Sequence, residues 1–257
     1  MALYWHFLFV AFCSAVVAKP KHGFEFQVTH VFGDSFLSSS KTELEKPLEL
    51  RLGDKLKRTS PFAILVAKDS YAEITFPTES IIRIGQQSVI EFRNLNHFRI
   101  FNGSSLFSLS KPQSLNLETN GTNIQLSGRG TFMLESPQGR NLKIIMLEGQ
   151  VLLTSAQAKQ NLQAGQLVLV QAGTPDFGQT INIDLPLLLS TSRLVNNFSS
   201  ALPSQSKLIS AAKVQAVRLK KRYEALIGNT NDKKQLRLWA KKKKKEKQEE
   251  KINTKNK

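Results

Sequence analysis

Residues 115–136 read LNLETNGTNIQLSGRGTFMLES, and this stretch decides the fold. Leu115 and Leu117, Ile124 and Leu126, and Phe132 and Leu134 alternate with polar neighbours, which is the period of strands that bury one face. Asn120-Gly121 separates the first two pairs, and this dipeptide accepts the positive φ that a tight hairpin turn demands. Gly130 precedes Thr131 and lets the chain turn tightly into the Phe132 run, in a conformation where a larger residue would be strained.

The same pattern extends in both directions. Upstream, Phe24, Phe26 and Val28 alternate, as do Ala72, Ile74 and Phe76, then Ile82 and Ile84. Downstream come Leu142, Ile144 and Met146, then Val151 and Leu153, then Leu167 and Leu169. Turn residues separate these runs at Gly33-Asp34, Gly53-Asp54, Asn102-Gly103, Pro137 to Gly139, Gly149, Gly165 and Gly173. Short strands at this pitch predict an all-β domain over 22–183, a sandwich, a barrel or a solenoid.

The character changes after Pro186. Leu187, Leu188, Leu189, Leu194 and Val195 predict a short helix ending near Asn196-Asn197, and a linker follows to complete 184–206. Apolar residues then recur at three- and four-residue steps, at Leu208, Ala212, Ala216, Leu219, Tyr223 and Leu226. That spacing predicts an amphipathic helix over 207–228 that Gly228 ends. Residues 229–257 read as a basic, disordered tail, since Lys241 to Lys257 carries no apolar face.

The chain has 257 residues, 40% hydrophobic and 22% charged, a composition that argues for a globular protein over a disordered one. Its net charge of +16 is unevenly placed: from Ser204 onward there are 18 basic and 5 acidic residues. The basicity therefore belongs to the tail, and the domain itself needs no acidic partner. Residues 1–18, MALYWHFLFVAFCSAVVA, form an uncharged apolar run with small residues at Val16 and Ala18, which predicts a cleaved signal peptide. A membrane anchor is the competing reading, but it needs about 20 apolar residues, and Lys19, Pro20, Lys21 and His22 end the run sooner. The expected location is periplasmic or secreted. Cys13 is the only cysteine and lies in this leader, so disulfides, thiol catalysis and cysteine metal sites are not expected of the mature chain. The bulky Phe12 before it argues against a lipid anchor.

A set of ordered blocks resembles the FecR domain. They are Leu52 to Leu56, Ala72 to Ile84, Asn102 to Phe107, Glu118-Thr119, Leu126 to Phe132, Leu147 to Val151 and Gln163 to Gln166. The likeness covers 28–172, and Asp184 to Phe198 is similar to the ending of signal-peptide-bearing members from Verrucomicrobia-like bacteria. The chain departs from the pattern at Pro77-Thr78-Glu79-Ser80, where members often carry Asp-Gly, so a looser hairpin is expected there. The resemblance implies a β-solenoid-like or β-sandwich FecR-type module, commonly periplasmic. In FecR-type sigma regulators that module receives a signal from an outer-membrane receptor and passes it through a transmembrane helix to a cytoplasmic anti-sigma segment. Neither of those parts is read in this sequence, so the domain is carried over and the iron-signalling role is not.

No residue pattern here assigns catalysis, a cofactor or a metal. His22, His30 and His97 lack helical i, i+4 pairing, no Gly-x-Ser-x-Gly elbow is present, and His97 reads as a strand residue. Glu73, Glu91, Glu118, Glu135 and Glu148, with Arg83, Arg93 and Lys143 near them in sequence, are expected on the solvated face of the strands. Gly128-Arg129-Gly130 is too short for a phosphate cradle. Asn102, Asn120 and Asn197 open glycosylation sequons, which the bacterial origin implied by the resemblance would make meaningless. The expected function is an extracytoplasmic, non-catalytic binding or assembly module, with an envelope protein or the cell wall as partner and strand-edge pairing as its simplest route. A signalling component related to FecR-type regulators is the alternative, and a hydrolase of envelope polymers the second. Lys241 to Lys245 would give the tail weak contact with anionic membrane or polymer, and no specific nucleic acid is expected.

Overall fold

Leu117 pairs with Ile124 and Leu115 with Leu126, and Thr119 faces Thr122 across a two-residue connection in which Gly121 takes φ 81°. This hairpin is the centre of the fold. The computed structural model describes residues 23–39, 46–58, 61–119, 121–137, 141–174, 176–220, 222–227 and 237–240. Both the expected leader (1–18) and the Lys-rich stretch 241–257 lie outside them.

Strands β1 (Phe24–Phe32), β2 (Ser35–Ser39), β3 (Leu48–Glu49), β4 (Lys55–Arg58), β5 (Phe62–Val66), β6 (Tyr71–Thr75), β7 (Ile81–Ile84) and β8 (Ser88–Asn94) lead into three long ones. These are β9 (His97–Thr119), β10 (Thr122–Ser136) and β11 (Leu142–Thr154). β12 (Lys159–Gln163), β13 (Gln166–Val170) and β14 (Ile181–Asn182) complete a 14-stranded sheet. Every pairing among the described strands is antiparallel, which excludes a solenoid of stacked parallel strands.

The sheet has two arms that branch at β9, where one edge pairs first with β8 and then with β7. β8, β5, β2 and β3 form one arm, and the path from β4 through β1, β6, β7, β9, β10, β11 and β13 to β14 forms the other. The arms face each other across an aromatic core. Phe26 of β1 stacks on Phe62 of β5 at 5.2 Å, and Phe76, just past β6, meets Phe92 of β8 at 6.2 Å. Each fully buried phenylalanine contributes about 2–3 kcal/mol over leaving it in water. A seam closes the side: the Asn116 N–H near the end of β9 donates to the Asn96 carbonyl in the β8–β9 turn at 2.6 Å.

Two glycines expected to punctuate the strands instead bend them. Gly103 lies inside β9 and Gly149 inside β11, so Asn102-Gly103 is no hairpin, and the runs 142–146 and 151–153 belong to one strand. Gly130 of β10 and Gly149 of β11 pair with each other at φ 129° and 80°. A Cβ on Gly130 would overlap the Glu148 carbonyl oxygen, and one on Gly149 would overlap that of Arg129. Here the long strands change direction, and only glycine allows backbones so close. By contrast, the Pro77–Ser80 hairpin is closed, not loose. Glu79 supplies the positive φ (62°), and the Glu79 N–H donates to the Phe76 carbonyl at 2.9 Å.

Beyond this bend the expectation of one buried face holds; before it, it does not. Met133, Ile145 and Leu167 point away from the aromatic core into a second apolar cluster with Leu185, Leu194 and Leu208. Helices α1 (Leu185–Thr191), α2 (Arg193–Asn196) and α3 (Gln205–Leu219) supply that cover, which is why the strands beneath read as continuous apolar runs. Asp184 caps α1 by accepting from the Leu187 N–H at 3.0 Å. The helix expected over 207–228 stops at Leu219, because Lys220 turns left-handed at φ 47° and its N–H satisfies the Ala216 carbonyl. Glu224–Ile227 is instead β15, paired with β16 (Arg237–Ala240), so the stretch expected to be disordered from 229 on contributes a strand. The hairpin is tied to β14 by the Glu224 carboxylate, which accepts from the Asn182 N–H at 2.8 Å.

Candidate functional site

Glu73 and Arg83 are cross-strand neighbours on β6 and β7, on the face that the C-terminal segment covers. Both were expected on a solvated face, yet Arg83 is 0% and Glu73 1% exposed, because Leu194–Ser200 lies over them. Arg83 Nε donates to Glu73 Oε2 at 2.7 Å. Its other nitrogens donate to the carbonyls of Leu194 (3.1 Å), Val195 (3.0 Å) and Ser200 (2.6 Å), and its plane lies 4.2 Å over the Phe198 ring. Thr29 Oγ1 donates to Glu73 Oε1 at 2.7 Å. Burial pushes the Arg83 pKa below the ordinary arginine value, while the hydrogen bond and charge of Glu73 push back. A guanidinium so fully engaged fastens chain to chain and has no donor aimed at a substrate.

Two further buried polar groups fasten the same cover. Gln215 of α3 donates to the Gly165 and Ile183 carbonyls at 2.9 and 2.8 Å and accepts from the Leu185 N–H at 3.1 Å. Ser204, in the segment expected to be a free linker, shares a 2.7 Å hydrogen bond with Thr131 of β10. Neither was foreseen: Gln215 lies beside the apolar helical stripe, and Ser204 sits among turn-forming residues.

Past the glycine bend the outer face of β9–β12 is open to solvent. Side chains there fall into rows set by the register. Asn116, Gln125, Thr154 and Lys159 form one row, and Ser114, Ser127, Leu152 and Asn161 the next. Arg129, Gln150 and Gln163 form a third, and Glu118 faces Asn123 at the seam end. The alternate residues, such as Leu117, Leu126, Leu153 and Leu162, fill the core.

At the seam this face meets a cluster of charges. Glu118 accepts from Arg93 Nη1 at 2.5 Å and lies 3.7 Å from both His97 Nε2 and Arg99 Nη1, and Arg93 Nε is 3.5 Å from Glu91. Arg93, His97 and Glu118 line a cleft of about 490 Å³. His97 is a strand residue as expected, but also a member of this cluster, and Glu91 and Glu118 are partly buried rather than fully solvated. Both carboxylates here face the guanidinium of Arg93. His30 lies elsewhere, 3.1 Å from the Ser199 hydroxyl and against Phe198. Glu135 pairs with Lys143, and Glu148 with Lys207. A second recess of about 330 Å³ opens beside Phe76, Phe92 and Phe98.

Residues 63–177 match the family model described as FecR protein. No curated protein matches the chain. Two crystal structures of a candidate anti-sigma factor from Parabacteroides distasonis are similar to it. The first, at 1.65 Å, has 12% identity and a TM-score of 0.39 over 47% of this chain and 59% of that one. The second, at 2.50 Å, has 10% identity and a TM-score of 0.40 over 71% of this chain and all of that one. The chain spans less than two thirds of the first of these.

Proposed function

We propose that this chain, which carries a FecR domain over residues 63–177, is an extracytoplasmic, non-catalytic binding or assembly module whose working surface is the open face of β9–β12. One observation carries the reading. The same long strands are sealed by helices on one side of the glycine bend and left bare on the other, and the bare part lies wholly within the matched residues. The buried polar groups meanwhile hold the C-terminal cover in place. The apolar leader at 1–18 supports export. No helix of the described residues is long and apolar enough to cross a membrane. The β4 edge is less suited to pairing, since it is four residues long and carries Lys55, Lys57 and Arg58.

Hydrogen exchange of the full chain, alone and with an extract of cell envelope, tests this reading. Slowed exchange across β10 and β12 is expected. Slowing confined to other elements, or none, would overturn it.

The FecR match also favours a second reading, a signalling component related to FecR-type sigma regulators. It requires a sigma factor or receptor gene beside this one, and a locus with neither removes it.

A further inference from the structure

We infer that the open face of β9–β12 binds a neutral polysaccharide. The inference rests on the reading of that face as the working surface and adds the chemistry of its partner. Past the glycine bend, the outward residues of these four strands are amides or hydroxyls except Glu118, Arg129, Lys159 and Leu152. Nine of these thirteen side chains are amides or hydroxyls, and the three charged ones stand at the margins, Glu118 at the seam, Arg129 beside the glycine bend and Lys159 on the outer strand.

Each asparagine and glutamine offers donors and acceptors together, and each serine or threonine hydroxyl can act as either. Neighbouring strands lie about 4.8 Å apart, so the row from Asn116 to Lys159 presents such groups at regular steps over roughly 14 Å. A polyhydroxylated chain also alternates donors and acceptors and carries no charge, and it matches that array. Other partners fit worse. An acidic polymer needs clustered cations, and on this plate Arg129 and Lys159 stand two strands and two rows apart, while Arg93 and Arg99 at the seam face Glu91 and Glu118. A protein partner draws its affinity from buried aromatic and arginine anchors, and the plate offers one exposed apolar side chain, Leu152, 41% exposed.

Native electrophoresis of the full chain through gels containing amylose, xylan, mannan or dextran tests this, with polygalacturonate as the anionic comparison. At least one neutral polymer is expected to slow migration, with no loss on adding salt, because the contacts are uncharged. Gln125→Ala combined with Asn161→Ala is expected to raise the polymer concentration needed about tenfold, since two surface hydrogen-bonding groups are lost. Both side chains are exposed, so melting should be unchanged and folding failure is separable from binding loss. No slowing by any neutral polymer, slowing by polygalacturonate alone that salt abolishes, concentration-dependent self-association through this face, or an unaffected double variant would each overturn the inference. If the gels fail while envelope extract still slows exchange on β10 and β12, the binding-module reading stands and the glycan partner falls. If both fail, the assignment of this face falls with it.

Discussion

Arg83 and Glu73 pair across β6 and β7 with both side chains out of solvent, and the same guanidinium holds three carbonyls between Leu194 and Ser200. One residue thus joins the early hairpin of the domain to a segment more than a hundred positions later. Removing it leaves a carboxylate and three carbonyls without that partner. Arg83→Leu is expected to destabilise the chain by about 3–5 kcal/mol. Glu73→Gln keeps the shape and an acceptor and is expected to do less harm. Urea unfolding of the two variants checks the order, and an Arg83→Leu midpoint near that of the unmodified chain would refute it.

The glycine bend gives a second expectation. Gly130→Ala places a Cβ onto the Glu148 carbonyl at φ 129°, so a loss of at least about 3 kcal/mol is predicted from strain and overlap together. Gly173→Ala, at φ 71° with open space around it, meets only the left-handed penalty of about 1–2 kcal/mol. Thermal melting of the pair reads the difference directly.

Gln215 anchors α3 to the turn at Gly165 and to the start of α1. Gln215→Ala is expected to cost about 2–3 kcal/mol, because the Leu185 N–H and the Ile183 carbonyl lose their partner inside the fold and the Gly165 carbonyl keeps only the Ile183 N–H. Amide exchange should quicken across α1 and α3 first, with β10 and β11 less affected. Uniform quickening would show that the cover and the sheet open as one unit.

Residues 241–257 carry the densest charge in the chain. Deleting them is expected to abolish binding to vesicles of anionic lipid at low salt and to leave domain melting unchanged. A fall in melting would show that the tail packs on the domain.

The sequence made the strands legible where one face is bare. From Leu115 to Leu126 the alternation names the core residues, and Asn120-Gly121 names the hairpin. It misled where a second layer lies on top. Glu73 and Arg83 alternate as solvated residues would, and only the distant segment 194–200 makes them buried. Gly149 resembled a strand end because a glycine at positive φ serves a turn and a bend equally well, and the neighbouring strand decides between them. The helix over 207–228 was drawn too long because Tyr223 and Leu226 continue its spacing, while Lys220 ends it with a backbone conformation that no side-chain pattern announces. The open face was readable as polar. That its residues align into rows needed the register.

The most direct test of the working surface is to block it. Ser127→Arg with Asn161→Arg sets two large cations in the middle of the plate, at positions where the side chains leave the fold and should not disturb it. Hydrogen exchange with envelope extract should then show no slowing on β10 and β12, with melting as before. Protection equal to that of the unmodified chain would contradict the account.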